Sequence, residues 1–376
     1  MSRPFLTIGM PSYNDYQGCY FTLQALRLYH CMVDIELLVV DTSPEHDPIL
    51  EGLLIGDIGG RYVHAPELSG PAAAKDRVFQ EASGRFVLCN DAHVMYQAGA
   101  IYRLIDYYQD NPETSDLICG PLLHDSLAGV STHFVDQWNG TMWGRWALAW
   151  EKPDGTRFSP LEKDSLCQFV TLEINHRDIS DQFPRLRYSR AYPGVLESLG
   201  CRRLGGNDDV FEIPGQGCGV LSCRKEAWLR FSPDWRGFGG EEMYLHDKYR
   251  RAGYKALCLG FLKWMHRFSQ PDPVICPEKI WNMARNYVLG HLEQCRGLAQ
   301  IEKNFVATGL MPRYQWLELL EDPRRAFPPS GLSGQHEAIK PLEASPERLA
   351  EMRISPEEIR GLLANIYGTA APVDYV

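Results

Sequence analysis

Short apolar runs alternate with amphipathic segments over the first 120 residues, and this alternation constrains the fold more than any other feature. Strands are predicted over 5–10, 35–40, 61–64 and 85–90, and helices around 21–28, over 71–83 and over 99–108. Strands separated by helical segments of about ten to fifteen residues form βαβ units, whose parallel sheet is covered on both faces. The pattern therefore predicts an α/β fold.

Polar side chains stand where three of the predicted strands end. They are Asn14, Asp41 and Asp91. Each of them alone is typical of a residue that caps a loop. Ligands of open α/β sheets bind beyond the carboxyl ends of the strands, so the three together indicate a ligand site at that edge.

The triplet Asp91-Ala92-His93 follows a predicted buried strand. Alternate side chains of an extended segment point to the same side, so Asp91 and His93 are candidate ligands of one ion. A carboxylate oxygen with an imidazole nitrogen suits Mn²⁺ better than Ca²⁺. His266 is a candidate third ligand, and the alternative for each histidine is a purely structural role.

A second acidic cluster, Glu241-Glu242, opens a predicted helix that runs through Arg251 and stops at Gly253. The helix dipole favours carboxylates in a first turn, and the glycines before them allow the backbone to approach a ligand closely. The pair is a candidate for proton transfer in a cleft. The alternative is an ordinary helix start with acidic first-turn residues.

Composition excludes several classes of protein. A net charge of −10 argues against a broad nucleic-acid-binding surface or capture by an anionic membrane. The eleven cysteines contain no CxxC pair and their number is odd, which favours reduced thiols and a cytoplasmic location. No apolar run approaches the ~20 residues of a transmembrane helix.

The later part of the chain divides by composition. Periodicity weakens from 122 to 205, where four tryptophans lie between 138 and 150 and predict a small local core or, as the alternative, a ligand platform. Helical periodicity returns over 271–327, with one apolar face. Residues 328–344 are rich in Pro, Gly and Ser and predict a linker before a final helix within 345–376.

The order of several motifs resembles family 2 nucleotide-sugar glycosyltransferases of the GT-A fold. The first strand runs into Pro11-Ser12-Tyr13-Asn14, and the small-residue helix at 70–76 carries Lys75 where the family more usually has Arg. The Asp-x-His form of the metal triplet and Phe238-Gly239-Gly240-Glu241 resemble the corresponding motifs of polypeptide N-acetylgalactosaminyltransferases. The resemblance extends over roughly 4–270.

This resemblance implies a fold, a cofactor and a set of site residues. The fold is a GT-A catalytic domain over 1–270, with a Rossmann-like nucleotide-binding half, a mixed central sheet, an acceptor-side insertion at 122–205 and a helical C-terminal extension. The cofactor is Mn²⁺ or Mg²⁺, held by Asp91, His93 and His266. The implied nucleotide-binding residues are Pro11, Tyr13, Asn14, Asp41, Lys75 and Asp91. Glu241 or Glu242 is the implied catalytic carboxylate, and Gly217 and Trp235 are the implied acceptor-side residues.

The predicted function is metal-dependent transfer of a sugar from a nucleotide-sugar donor, UDP-linked by preference, to a hydroxyl-bearing acceptor. The acceptor class is open among a glycan, a protein and a modified nucleic-acid base, and so is the choice between inversion and retention. One alternative is a sugar nucleotidyltransferase, which the Pro11-Ser12-Tyr13-Asn14 loop disfavours because it is neither glycine-rich nor basic. The other is a binding module without turnover.

Overall fold

The computed structural model describes residues 3–124, 130–148, 210–267 and 279–324. The predicted linker at 328–344, the predicted final helix within 345–376, Trp150 and most of the predicted insertion lie outside these residues. Two sheets are present in the described part, with eight strands in one and five in the other.

The larger sheet has the order β10-β12-β6-β11-β4-β1-β2-β3. Its strands are β1 Leu6–Ser12, β2 Ile35–Asp41, β3 Arg61–His64, β4 Phe86–Asn90, β6 Leu117–Cys119, β10 Val210–Glu212, β11 Val220–Arg224 and β12 Ala256–Leu259. Four strands of the N-terminal half pair in parallel, as their alternation with helices predicts. They are β1, β2, β3 and β4. Strand β11 pairs with β4 in the antiparallel sense, which makes the sheet mixed and confirms the expected GT-A architecture.

Four helices belong to the N-terminal half. They are α1 Tyr16–Tyr29, α2 Pro48–Gly52, α3 Pro71–Glu81 and α4 Ala100–Asp110, and a π-helical turn, Leu53–Ile58, follows α2. Helix α1 buries Cys19, Leu23 and Leu26, which are spaced for one helical face. Phe21 and Leu28 lie on the opposite face and are 63% and 54% exposed, so only part of the apolar periodicity around 21–28 marks the core.

The smaller sheet has the order β5-β13-β7-β8-β9. Its strands are β5 Val94–Tyr96, β7 Leu122–His124, β8 Val130–Asn139, β9 Met142–Leu148 and β13 Trp264–His266. The β8–β9 hairpin is the start of the predicted insertion, and it is regular structure despite its weak periodicity. Trp143 is buried, and Trp138 and Trp146 pack against the same hydrophobic cluster, so these tryptophans form the predicted local core.

The C-terminal described helices are α5 Glu241–Arg251, α6 Lys279–Glu293, α7 Ala299–Phe305 and α8 Arg313–Glu321. Helix α5 ends as predicted, with Gly253 in the left-handed region at φ 85°. The apolar face of α6 packs with the β8–β9 hairpin and with Met243 of α5 in one cluster. The helical extension therefore shares a core with the sheets. Within the described ranges, no helix is long and apolar enough to cross a membrane.

Candidate active site

The candidate metal ligands meet at the carboxyl end of the central sheet. Asp91 follows β4 and donates its backbone N–H to the Gly219 carbonyl at 2.9 Å. Antiparallel pairing of β5 with β13 sets His266 opposite Val94, and this register brings it beside His93. Ligand atoms of Asp91, His93 and His266 all lie within 4.8 Å of one another. The two histidine Nε2 atoms are 3.1 Å apart, and Asp91 Oδ2 is 3.4 Å from His266 Nε2.

Lys75 holds the other oxygen of Asp91. Its ammonium is 2.7 Å from Asp91 Oδ1, and the lysine is 3% exposed. Burial by itself lowers the pKa of Lys75, but the charge of Asp91 and smaller effects of neighbouring groups together outweigh burial, and the pKa is raised. Burial likewise raises the pKa of Asp91, but the charge of Lys75, the hydrogen bond to His266 and the charges of the two histidines together hold this pKa well below its usual range. The pair therefore stays ionised.

Asp15 is a functional residue that the sequence analysis missed. Its Oδ2 lies 2.6 Å from Nδ1 of His93, while its Oδ1 accepts hydrogen bonds from the Gly18 backbone N–H and from Arg267. Burial by itself raises the pKa of Asp15, but the hydrogen bonds from His93 and Gly18 hold it below its usual range. An ionised carboxylate accepts hydrogen bonds only, so Nδ1 of His93 carries the proton. In the neutral ring, Nε2, which lies 3.1 Å from His266 Nε2, is then the acceptor atom.

Only a local signal for Asp15 exists in the sequence. It follows the strand-end residue Asn14 and caps the N-terminus of α1, which any helix-starting Asp does. Its contact with His93 joins residues 78 positions apart. Nothing in the local pattern reports such a contact.

Glu241 and Glu242 form the first turn of α5, next to this cluster. Gly239 and Gly240 precede them with φ of 101° and 99°, a backbone conformation that glycine adopts without strain. A Cβ on Gly239 would also lie 2.5 Å from Met283 Cε, so the turn has no room for a side chain there.

The two glutamates have raised pKa values. Burial raises the pKa of Glu241, which is 4% exposed, and the adjacent Glu242 raises it further. Burial also raises the pKa of Glu242, and the charge of Lys75 partly offsets the effect on both. A carboxyl group with a raised pKa can accept or donate a proton near neutral pH.

Four of the six predicted nucleotide-binding residues, Pro11, Tyr13, Asn14 and Asp41, lie in β1, in the loop after it and at the end of β2. Tyr13 is 43% exposed, and Asn14 is exposed with a left-handed φ of 49°. Pro11 lies within β1, beside Val40 of β2. Asp41, by contrast, is buried, and both of its carboxylate oxygens accept hydrogen bonds from other residues of the chain.

Hydrogen bonds link Asp41 to the loop. Asp41 Oδ1 accepts from the backbone N–H and the hydroxyl of Ser43, and Oδ2 accepts from the Tyr62 hydroxyl at 2.6 Å. The Asn14 backbone N–H in turn donates to Ser43 Oγ at 2.8 Å. Asp41 therefore holds the Tyr13-Asn14 loop in place through Ser43.

Lys75 and Asp91 were both predicted at the nucleotide, and the structure pairs them with each other, because a buried ammonium needs a counter-charge within reach. Trp235 was expected on the acceptor side, and it is 4% exposed with its ring 4.4 Å from that of Tyr244, centroid to centroid. It belongs to the hydrophobic core, where burial of a large indole is favourable.

The segment 215–219, which contains the predicted acceptor-side residue Gly217, is a loop that precedes β11. A Cβ on Gly217 would lie 2.7 Å from the Trp146 ring. A Cβ on Gly219 would lie 2.8 Å from the Trp264 ring and 3.3 Å from Asp91 Oδ2. Both glycines therefore allow close packing, and Gly219 does so at the metal-ligand cluster itself.

The chain is similar to known glycosyltransferases both in sequence and in fold. Residues 7–156 match the family model "Glycosyl transferase family 2". The crystal structure of GalNAc-T7 with UDP, GalNAc and Mn²⁺ superposes with a TM-score of 0.53 at 13% identity, over 86% of this chain and 55% of that one. At this identity the superposition shows a shared fold, and the chain spans about half the length of GalNAc-T7.

A second solved structure, S. aureus TarS 1-349, has a TM-score of 0.30 at 17% identity and covers 38% of this chain and 43% of that one. A score this low carries no argument about fold. No curated protein matches the sequence.

Proposed function

We propose that the chain, which matches a glycosyltransferase family 2 model over residues 7–156 and shares the fold of GalNAc-T7, is a glycosyltransferase that transfers a sugar from a UDP-linked donor to an acceptor hydroxyl. A divalent cation is held by Asp91, His93 and His266 in this proposal. The observation that carries the proposal is the convergence of these three side chains from separate segments to within 4.8 Å. One carboxylate oxygen and two imidazole nitrogens at this spacing are able to bind one cation together.

The residues present fit such a cation. One oxygen and two nitrogen donors suit Mn²⁺ and similar borderline ions. Asp15 keeps Nε2 of His93 available as a ligand atom, in the way that outer carboxylates orient metal-binding histidines. The Mn²⁺ and UDP in GalNAc-T7 support the same assignment through the shared fold.

The cation, when bound, supplies positive charge to the diphosphate as the sugar leaves it. Asp91 anchors this charge and is itself kept ionised by Lys75. Asp15 is a positioning residue, because it touches His93 and Arg267 and reaches the reaction only through them.

We assign proton transfer to the Glu241-Glu242 pair. The acceptor hydroxyl loses its proton when it forms the new glycosidic bond, and a carboxylate in the cleft accepts that proton. The raised pKa values match a base that works near neutral pH. Tyr13 and Asn14 present exposed side chains on the loop that Asp41 and Ser43 hold, and we assign them to the nucleotide.

Calorimetric titration of UDP tests the proposal. We expect UDP to bind in the presence of Mn²⁺ and to lose most of its affinity when a chelator is added. Asp91→Asn should abolish the Mn²⁺-dependent part, whereas Asp110→Asn, an exposed carboxylate at the end of α4, should leave it unchanged. Equal UDP affinity with and without Mn²⁺ would rule out the proposed cation site.

Donor turnover tests catalysis separately from binding. The full-length protein with Mn²⁺ and a panel of UDP-sugars should release UDP, by transfer or by slow hydrolysis. Binding of UDP without any release from any donor would instead support a binding module. A separate assay with UTP and a sugar 1-phosphate tests the nucleotidyltransferase alternative, because that reaction would release pyrophosphate.

A further inference from the structure

Helix α6 carries a row of polar and small residues on one of its faces. The row consists of Asn282, Asn286, Gly290 and Gln294, which are spaced by four residues, the last of them directly after the end of the helix. Residues at this spacing lie above one another on one helical face. Asn286 is 1% exposed and Gln294 is 7% exposed. Buried amides are almost always hydrogen-bonded, and their partners show what this row holds in place.

Asn286 binds the backbone of the loop that leads to the two glutamates. Its Oδ1 accepts from the Arg236 backbone N–H at 3.4 Å. Its Nδ2 donates to the Arg236 carbonyl at 3.1 Å and to the Gly239 carbonyl at 2.9 Å. Two carbonyls on one side and an N–H on the other fix which amide atom is nitrogen and which is oxygen. One side chain therefore joins both ends of the segment 236–239.

The sequence of this loop gives it little stiffness of its own. Gly237, Gly239 and Gly240 have positive φ of 65°, 101° and 99°, and glycine loses more backbone freedom on folding than any other residue. Gly240 occupies the capping position of α5 and has no side chain with which to cap the helix. Residues outside the loop must therefore fix the backbone that leads into Glu241.

The loop is held between α6 and the residues before α3. A Cβ on Gly240 would lie 3.4 Å from Asn286 Cβ, and a Cβ on Gly237 would lie 2.5 Å from Asn282 Nδ2, so α6 packs closely along the loop. On the α3 side, the Gly237 backbone N–H donates to Ser69 Oγ at 3.3 Å. Of these contacts, those of Asn286 lie nearest in sequence to the glutamates.

The second half of the row contacts α5 itself. Gln294 donates from Nε2 to the Tyr244 carbonyl at 2.9 Å. A Cβ on Gly290 would lie 2.8 Å from the Tyr244 ring, so the two helices approach closely there. Asn286 and Gln294 thus make the same kind of bond, from a buried amide to a backbone carbonyl, but Asn286 does so before Glu241 and Gln294 after it.

We propose that Asn286 is a positioning residue for the Glu241-Glu242 pair. It acts through the backbone of Arg236 and Gly239, which it fixes so that α5 starts in one place and its first two carboxylates have one orientation. The inference rests on the proposed function, in which this pair accepts the proton of the acceptor hydroxyl. It also gives the helical extension a part in the reaction, although α6 lies outside the residues that match the family model.

The first test is UDP release by the full-length protein with Mn²⁺ from UDP-glucose, UDP-N-acetylglucosamine and UDP-N-acetylgalactosamine. Asn286→Ala should lower kcat about 10- to 100-fold, the effect of a catalytic group displaced by about 1 Å. The KM for the donor and the Mn²⁺-dependent affinity for UDP should stay within about twofold of wild type. The reason is that the residues proposed for the nucleotide and the cation lie on other elements.

The matched control is Gln294→Ala, which removes a buried amide from the same row. Both variants should unfold at a lower temperature than wild type, but Gln294→Ala should keep the wild-type kcat. Asn286→Ser retains one hydroxyl donor in place of the amide, and it serves if Asn286→Ala fails to fold. Its kcat should also fall below that of wild type. Equal kcat in wild type and in a folded Asn286 variant would overturn the inference.

Hydrogen exchange followed by mass spectrometry tests the loop without turnover. Amides of residues 237–242 should exchange about tenfold faster in the Asn286 variant than in wild type, because the loop opens more often, and at the wild-type rate in Gln294→Ala. Unchanged exchange in the Asn286 variant would overturn the inference. Wild-type protein that binds UDP but releases none from any donor would refute the proposed function and this role with it, so the two failures are distinguishable.

Discussion

Replacement of Asp15 by Asn isolates the positioning of His93 from the folding of α1. Asn caps a helix N-terminus as well as Asp does, so the Gly18 cap should survive. What is lost is the ionised acceptor 2.6 Å from Nδ1 of His93, which selects the tautomer in which Nε2 is the acceptor atom. The Asn amide is able to donate to Nδ1 instead, and Nε2 then carries the proton and cannot bind a cation.

The expected loss in Mn²⁺ affinity is about 10- to 100-fold, the usual effect of removing an outer partner of a metal ligand. This corresponds to about 1.4–2.8 kcal/mol. One charge-assisted hydrogen bond is worth ~1.5–3 kcal/mol, and Asp15 is well shielded from solvent with a 14% exposed side chain, so the two magnitudes agree.

The assay is Mn²⁺ titration followed by electron paramagnetic resonance, with thermal unfolding of the metal-free protein as a check on the fold. Asp47→Asn is the matched control, because Asp47 caps α2 by accepting from the backbone N–H groups of Ile49 and Leu50. It should leave Mn²⁺ affinity at the wild-type value. If Asp15→Asn binds Mn²⁺ as tightly as wild type while His93→Ala does not bind it, then Asp15 does not position His93.

Three further predictions concern the same site. Lys75→Met should destabilise the metal-free protein by about 3–5 kcal/mol, because it leaves Asp91 without its buried partner. In thermal unfolding, Mn²⁺ should restore part of the lost stability. An equal loss of stability with and without Mn²⁺ would contradict this. Glu241→Gln should abolish sugar transfer while UDP binding is retained. Because burial raises the pKa of Glu241, the wild-type protein loses stability as the pH rises from the usual glutamate range towards that raised pKa. The variant should therefore gain stability over wild type across that interval and not below it, as measured by urea unfolding from pH 4 to 8. Gly219→Ala should weaken Mn²⁺ binding by crowding Asp91, whereas Gly56→Ala, with no atom within 4 Å of the added Cβ, should not.

Hydrophobic periodicity predicted three strands of the N-terminal half closely, whereas helix α1 begins at Tyr16, before the predicted 21–28. Strands β1, β2 and β4 begin and end within two residues of the predicted bounds, and α5 begins at Glu241 and stops before Gly253. The alternation of side chains along a strand and the residue types at a helix end involve positions only a few residues apart. A short stretch of sequence is therefore enough to recognise them. For the same reason the pairing of Asp91 with His93 was visible, since two residues of one extended segment share a side.

The remaining contacts of the candidate site depend on pairing between residues that are far apart in the sequence. His266 joins His93 across 173 positions because β13 pairs with β5 in one register, and Asp15 reaches His93 because α1 begins beside that ladder. The pairing of Lys75 with Asp91 joins two separate elements, and only the packed structure shows it. A sequence period reports which residues share a face of one element. Which faces meet is set by the packing of the whole core, and it was this packing that brought the side chains of the candidate site together and buried Trp235.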